Sequence, residues 1–261
     1  MRGPEVTDPL ADRLWRPAVW HMRPAITPYR RPTYELTVIG IIMVWNVVAN
    51  TVVSDTASVP VNAIAVALLL VVARQAGMGL PDLGLRWDSV GRGIRVGAAA
   101  MGVVVVAIAA LAVVPATREF LADDRFVGVE AAETLYETLV RIPIATALAE
   151  EIAFRGVLLG LLVLWTSPLR AVAVSSALFG FWHVWPAIEA LETNPATDLA
   201  SGPLATVAAV IGQVIVTGIA GFGFAWLRLR ANNIAAPVLA HWGLNGAAYV
   251  AGWLLVAKAW V

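Results

Sequence analysis

Long apolar runs separated by short polar connections make up most of the chain. The runs cover about residues 36–54, 59–75, 95–115, 138–164, 169–190, 204–227 and 234–257. Each run is close to the roughly 20 residues that a helix needs to cross the hydrocarbon core of a bilayer. The runs are continuous rather than alternating, so they predict helices and not the strands of a membrane barrel. We therefore expect an all-α fold, a polytopic helical membrane bundle with about seven (six to eight) transmembrane helices.

The composition supports this prediction. Of 261 residues, 59% are apolar and only 14% are charged, which is too apolar for a soluble domain. The net charge is zero, so no nucleic-acid partner is indicated. The chain contains no cysteine, which excludes thiol catalysis, disulfides and cysteine metal sites. Lys258 is the only lysine among 18 basic residues, and we interpret this bias as bacterial, GC-rich codon use.

The distribution of arginine predicts the organisation of the chain in the membrane. Residues 1–34 are rich in Pro and Arg without apolar periodicity, so we expect a flexible cytoplasmic arm before a single transmembrane domain at 35–261. Further arginines follow the second, fourth and sixth runs, which lie on the same side in a seven-span threading. Because basic residues favour the cytoplasmic side, we expect a multi-pass protein of the cell membrane with its N-terminus in the cytoplasm. The outer connection 116–136 predicts a partly amphipathic helix.

The run at 138–164 contains charged side chains in its interior. A charge at the centre of a membrane span costs at least about 2.5 kcal/mol, so these side chains need a role or a partner. Glu151 and Arg155 are four residues apart and share a helix face, which predicts an ion pair. Glu150 points about 100° away from Glu151 and has no local partner. We interpret Glu150 as the working group and the other two as its support, and a purely structural ion-pair cluster is the alternative.

Two later runs also contain polar side chains. Phe179 lies one turn before His183, and His241 lies one turn before Asn245, so each pair shares a helix face. Polar groups of this kind face the bundle interior. By the predicted boundaries His183 lies near the outer end of its helix and His241 near the inner end of its own, so the helices must be tilted or staggered to meet. Three helices that contribute carboxylates, imidazoles and an amide to one interior indicate a functional site.

The three motifs together resemble a known family. Glu-Glu-x-x-x-Arg at 150–155, Phe-x-x-x-His at 179–183 and His-x-x-x-Asn at 241–245, on successive membrane helices, are similar to the CAAX protease and bacteriocin-processing family. Its members are glutamic intramembrane endopeptidases and include the prenyl-protein (Ras-converting) endopeptidase. The resemblance covers about 138–257, the expected catalytic core.

The resemblance implies a role for each residue. Glu150 and His183 would activate a water, and His241 and Asn245 would bind the oxyanion. The supporting residues would be Glu151, Arg155 and Phe179. The resemblance further implies a metal-independent hydrolase without a cofactor, which acts on a peptide or a membrane-protein substrate in the lipid bilayer.

Several alternatives stay open. Glu150, His183 and His241 could serve as zinc ligands in a metal-dependent version of the protease. The chain could also be a non-catalytic scaffold, a partner-binding protein of the immunity type, or a transporter with a buried proton relay. The pair of His241 and Asn245 favours hydrolysis, because oxyanion donors serve acyl chemistry and are superfluous in an ion-pair scaffold. The sequence contains neither a Gly-x-Ser-x-Gly nor a His-Glu-x-x-His motif.

Overall fold

The computed structural model describes residues 33–52, 55–193 and 202–257, and this part of the chain is helical without any strand. It contains seven long helices. They are α1 (Thr33–Thr51), α2 (Asp55–Gln75), α3 (Val90–Val113), α4 (131–165), α5 (Pro168–Thr193), α6 (Pro203–Ala231) and α7 (Ala235–Ala257). The predicted all-α membrane bundle is therefore confirmed. The predicted arm, apart from its last two residues, lies outside the described residues.

Five of the seven helices are long and apolar enough to cross a membrane, namely α1, α2, α3, α5 and α6. The two remaining helices, α4 and α7, carry the Glu-Glu-x-x-x-Arg and His-x-x-x-Asn motifs. The polar side chains of these motifs lower the mean hydropathy of α4 and α7. Most of these side chains are buried among the other helices, so they do not face lipid. The longest unbroken run of buried residues in the described chain is 153–162 of α4, so this helix is surrounded largely by protein.

Helix ends follow from capping residues. Ser167 accepts a hydrogen bond from the backbone N–H of Arg170 at the start of α5, and Pro168 takes the first helical position, where its missing N–H costs nothing. Helix α6 ends at Asn232, which adopts the left-handed conformation with φ 55°.

Helix α4 contains Pro143 and has wide, π-type turns on both sides of the two glutamates.

The connection before α4 differs from the predicted amphipathic helix. It consists of one turn at Pro115–Arg118, a 3₁₀ turn at Asp124–Phe126 and a break at Gly128, where φ is 78°. Asp123 accepts hydrogen bonds from the backbone and guanidinium of Arg125. Burial acts to raise the pKa of Asp123, but these hydrogen bonds outweigh it and hold the pKa below its usual value.

The turn between α6 and α7 is buried beneath the loop that joins α2 to α3. The Arg228 guanidinium donates to the carbonyl of Asp82 at 3.1 Å, and the backbone N–H of Ile234 donates to the carbonyl of Gly84 at 2.9 Å. Gly84 has φ 79°, and any side chain there would collide with Arg228. Helix α7 therefore begins below the surface of the bundle. His241, near the start of α7, has its ring centre 5.8 Å from that of Phe179, which lies well inside α5, so the two helices are staggered.

Helices α1 and α2 support the site from behind. The indole N–H of Trp45 donates to Asn62 at 2.8 Å, and the Asn62 amide donates to the carbonyl of Ala145 at 2.9 Å. The amide of Asn46 donates to the carbonyl of Trp182 at 2.9 Å, and this contact is buried. Because buried amides are costly to leave unpaired, these contacts fix α4 and α5 against the first two helices.

Candidate active site

The predicted ion pair of α4 is present and completely enclosed. Arg155 Nη1 lies 2.9 Å from Glu151 Oε1, and both side chains have no exposed surface. Arg155 Nη2 donates to the carbonyl of Gly221 in α6 at 3.1 Å. The guanidinium carbon also lies 4.0 Å from the ring centre of Phe179, an attractive cation–π arrangement. Arg155 thus joins α4, α5 and α6.

His241 is held by partners at both ring nitrogens. Its Nδ1 donates to Glu151 Oε1 at 2.9 Å, and its Nε2 accepts from the Asn245 amide at 3.2 Å. The ring stacks on Phe224 of α6, with ring centres 4.9 Å apart and an interplanar angle of 18°. The bond to the carboxylate fixes the proton on Nδ1 and leaves the lone pair of Nε2 facing Asn245.

Glu150 is the least satisfied charged group of the site. Its exposed fraction is 7%, yet its Oε2 is buried without a hydrogen-bond partner. The nearest cationic candidate is His241 Nε2 at 4.0 Å, beyond hydrogen-bond distance. One oxygen of Glu151 is also unpartnered, but its other oxygen accepts two charge-assisted bonds. Since an unsatisfied buried carboxylate is costly, Glu150 is available to a polar ligand, whereas Glu151 is committed to the protein.

His183 lies where α5 changes direction. Its backbone N–H donates to the carbonyl of Gly180 at 3.0 Å rather than to that of Phe179 four residues back. The free Phe179 carbonyl instead accepts a hydrogen bond from His183 Nδ1 at 2.8 Å. The irregular turn therefore places the lone pair of the imidazole on Nε2, the nitrogen that is not engaged by the helix.

Phe179 is the common neighbour of the polar groups. Its ring centre lies 4.7 Å from that of His183 and 5.8 Å from that of His241, in addition to its contact with Arg155. Arg155, His183 and His241 therefore lie around one buried ring. Glu151, Asn245 and Glu150 join this group through His241, at 2.9, 3.2 and 4.0 Å. The structure thus brings together the sequence-predicted residues, which are Glu150, Glu151, Arg155, Phe179, His183, His241 and Asn245.

The geometry differs from the sequence expectation in two respects. His241 and Asn245 were expected to present two free donors, but here they are bonded to each other. Glu151 supports His241 as well as Arg155, a link across 90 residues that motif spacing does not predict. Phe224 and Gly221 of α6 also belong to the site but were not predicted, because a phenylalanine and a glycine in an apolar helix have no sequence feature that separates them from ordinary packing residues.

No metal-ligand cluster is found in the part of the chain that the structure describes, where no three His, Cys, Asp or Glu side chains are arranged to hold an ion.

The family comparison covers this site. The model of the family described as type II CAAX prenyl endopeptidase, Rce1-like, matches residues 133–247, a segment that contains all seven site residues. Residues 133–247 are therefore similar to this family, and the match covers less than half of the chain. No curated protein and no solved structure matches the chain. Together with the five helices that are long and apolar enough to cross a membrane, the similarity to this family supports, in general terms, a multi-pass membrane protein with a protease function.

Proposed function

We propose that this protein hydrolyses a peptide bond at or within the membrane by means of a water activated at Glu150, without a metal ion or other cofactor. The observation that carries the proposal is the contrast between the two adjacent glutamates. Glu151 accepts charge-assisted bonds from two cationic or imidazole partners, while Glu150 has a buried oxygen without a partner. A water on that oxygen would satisfy the carboxylate and stand ready for deprotonation.

His183 is suited to assist the proton transfers. Its Nδ1–H is bound to the Phe179 carbonyl, so Nε2 can accept a proton. In the proposed reaction the water oxygen attacks the scissile carbonyl carbon while Glu150 takes the proton of the water. The carbon–nitrogen bond then breaks, and the leaving nitrogen receives that proton from Glu150 or through His183. Breakdown of the intermediate with this proton gives a carboxylic acid and an amine. The acid then gives the second proton of the water to the amine or to solvent, so atoms and protons balance.

Asn245 and His241 are suited to bind the oxyanion of the tetrahedral intermediate. The Asn245 amide has two N–H donors, of which one is directed at His241 Nε2 at 3.2 Å. A substrate carbonyl oxygen could take that donor in place of the ring. A proton on His241 Nε2 would add a second donor, and Glu151 would hold the ring in position during that change. Each well-placed donor of this kind contributes about 10²-fold or more to the rate.

We assign the catalytic core to 138–257 within a transmembrane domain at 35–261. The helices that contribute side chains to the site, α4 to α7, all fall within or overlap this core. Helices α1 to α3 contribute packing contacts, such as the Asn46 bond to the carbonyl of Trp182.

The test is cleavage of a quenched-fluorescent peptide library by the purified protein in detergent. Glu150→Gln keeps the shape of the side chain but removes the base, so we expect at least an about 10²-fold loss of cleavage. Glu133→Gln is the matched control, because Glu133 lies on the exposed surface of the same helix. It should cleave like the wild type, and a strong zinc chelator should leave wild-type cleavage unchanged.

Other results would point to the alternatives. Full activity of Glu150→Gln would contradict the proposed base. Loss of wild-type cleavage with the chelator, restored by added zinc, would indicate the zinc-dependent version with Glu150, His183 and His241 as ligands. A library that neither protein cuts, together with a membrane partner that both proteins bind equally, would favour the scaffold or immunity-type reading.

A further inference from the structure

A cavity away from the candidate active site opens between α3 and α6. It has a volume of about 600 Å³ and is lined by Arg92, Val96, Trp226 and Arg230. Helix α3 begins and α6 ends at the same end of the bundle, which we name the arginine-rich end because it carries Arg74, Arg86, Arg92, Arg95 and Arg230. The cavity is therefore located at one rim of the membrane-embedded region rather than at its centre.

The cavity has a charged rim and an apolar floor. Val96 lies one turn below Arg92 in α3, and Trp226 lies one turn below Arg230 in α6, when each helix is followed inward from the arginine-rich end. Further along α6 the exposed side chains are apolar, including Phe222 and Ile219. A ligand that matches this surface has a negative group at the rim and an apolar chain that continues along the helices.

The two arginines of the rim have no counter-charge among the described residues. Both side chains are exposed, and neither Arg92 nor Arg230 makes a hydrogen bond or an ion pair with a described residue. Arg86 nearby behaves differently, because it pairs with Asp88 at 2.7 Å. Two unpaired guanidinium groups on one cavity form a site for an anion, and their planar forks suit the oxygens of a phosphate.

We propose that this cavity binds the phosphate group of an anionic phospholipid. Arg92 and Arg230 would bind the phosphate oxygens, and Trp226 would lie at the level of the headgroup, where tryptophan is favoured. The acyl chain would pass over Val96 and the apolar face of α6. The proposal depends only on this surface and is independent of the proposed catalytic function.

The test measures lipid binding to the full-length protein in a mild detergent by native mass spectrometry. Phosphatidylglycerol is compared with zwitterionic phosphatidylcholine, and inorganic phosphate is added as a competitor. The test variant is the double substitution Arg92→Gln with Arg230→Gln. The matched control is Arg74→Gln with Arg95→Gln, which removes the same charge from the same end at exposed positions that do not line the cavity.

We expect the wild type to bind phosphatidylglycerol in preference to phosphatidylcholine. The test variant loses two direct charge-assisted contacts with the phosphate, each worth about tenfold or more, whereas the control variant loses only long-range attraction, so the test variant should bind at least about tenfold more weakly than the control variant. Arginine-dependent binding of inorganic phosphate without binding of phosphatidylglycerol would overturn the phospholipid as the ligand and identify a free anion in its place. Equal weakening in the two double variants, equal binding of the two lipids, or no binding of either phosphate source would overturn the proposal.

Discussion

Arg155 organises the candidate active site at the scale of single residues. It has no exposed surface, and it bonds to Glu151 and to the carbonyl of Gly221 while lying over the ring of Phe179. Glu151 in turn holds His241 by the same oxygen that accepts from Arg155. The position of the His241 ring therefore depends on the Arg155 guanidinium, although the two groups are not hydrogen-bonded to each other. We therefore propose that Arg155 is a positioning residue, which acts on His241 through Glu151.

Replacing Arg155 with alanine should lower the stability of the whole protein. The change leaves Glu151 buried without its cationic partner, which typically costs about 3–5 kcal/mol. We expect a strong fall in the yield of folded protein and in the melting temperature in detergent. Arg170→Ala is the control, because Arg170 is exposed at the start of α5, and it should melt like the wild type. Normal yield and melting for Arg155→Ala would mean that water reaches this helix face.

The sequence predicted the local contacts of these residues better than their long-range contacts. The Glu151–Arg155 pair follows from a spacing of four residues, and it is present. The bond between Glu151 and His241 could not be predicted, because it depends on the stagger of α7 relative to α4. The proton position on His183 likewise depends on the irregular turn that frees the Phe179 carbonyl, and no residue type encodes that turn by itself.

The packing of α5 against α6 determines the site at the scale of secondary-structure elements. A side chain on Gly180 would bring its Cβ within 2.5 Å of the backbone carbonyl of Val214 and 3.4 Å of Gly218. The two helices therefore touch through their backbones next to Phe179 and His183. Close approach of this kind, made possible by small residues, is the usual basis of helix association in membranes.

We predict that Gly180→Ala separates these helices. A methyl group that meets a rigid carbonyl cannot be accommodated by a side-chain rotation, and overpacking of this kind costs about 1–3 kcal/mol. The melting temperature should fall, and cleavage should fall with it because His183 is displaced. Gly212→Ala is the control, since nothing lies within 4 Å of a Cβ at Gly212 of α6. Alanine there should raise helix stability by about 0.5–1 kcal/mol, so equal destabilisation by both changes would refute the packing argument.

Element boundaries show where an apolar pattern is insufficient. The predicted apolar run begins at 138, but α4 begins at 131. The difference arises because the first turn of α4 contains Glu133 and Thr134 and therefore lies outside the apolar run. The helix predicted at 116–136 was wrong in its first part, where the left-handed Gly128 and two short turns interrupt it. Hydropathy detects the segments that contact lipid or core. It does not detect the polar start of α4, which has no side-chain cap and follows a backbone segment held by tertiary contacts, such as the hydrogen bond from the indole N–H of Trp253 to the carbonyl of Val129.

At the scale of the whole molecule, the arginines separate the two ends of the bundle. Arg74, Arg86 and Arg92 lie on the α2–α3 side, and Arg228 and Arg230 lie where α6 ends at the same side. The opposite end carries the acidic connection that includes Asp123 and Asp124. Helix α2 ends at the arginine-rich end with Arg74. Since consecutive long helices run in opposite directions, α1 begins at that same end. If the basic residues follow the usual rule, that end faces the cytoplasm.

The absence of cysteine from the chain makes this orientation directly measurable. Trp87 at the arginine-rich end is 87% exposed and Val127 at the opposite end is 69% exposed, so each can be replaced by a single cysteine without disturbing the core. In intact cells a membrane-impermeant maleimide should label Val127→Cys and leave Trp87→Cys unlabelled. Both variants should react after permeabilisation, which controls for accessibility. The reverse pattern would place the N-terminus outside. The proposed phospholipid site would then lie in the outer leaflet, because the cavity and Trp87 are at the same end of the bundle.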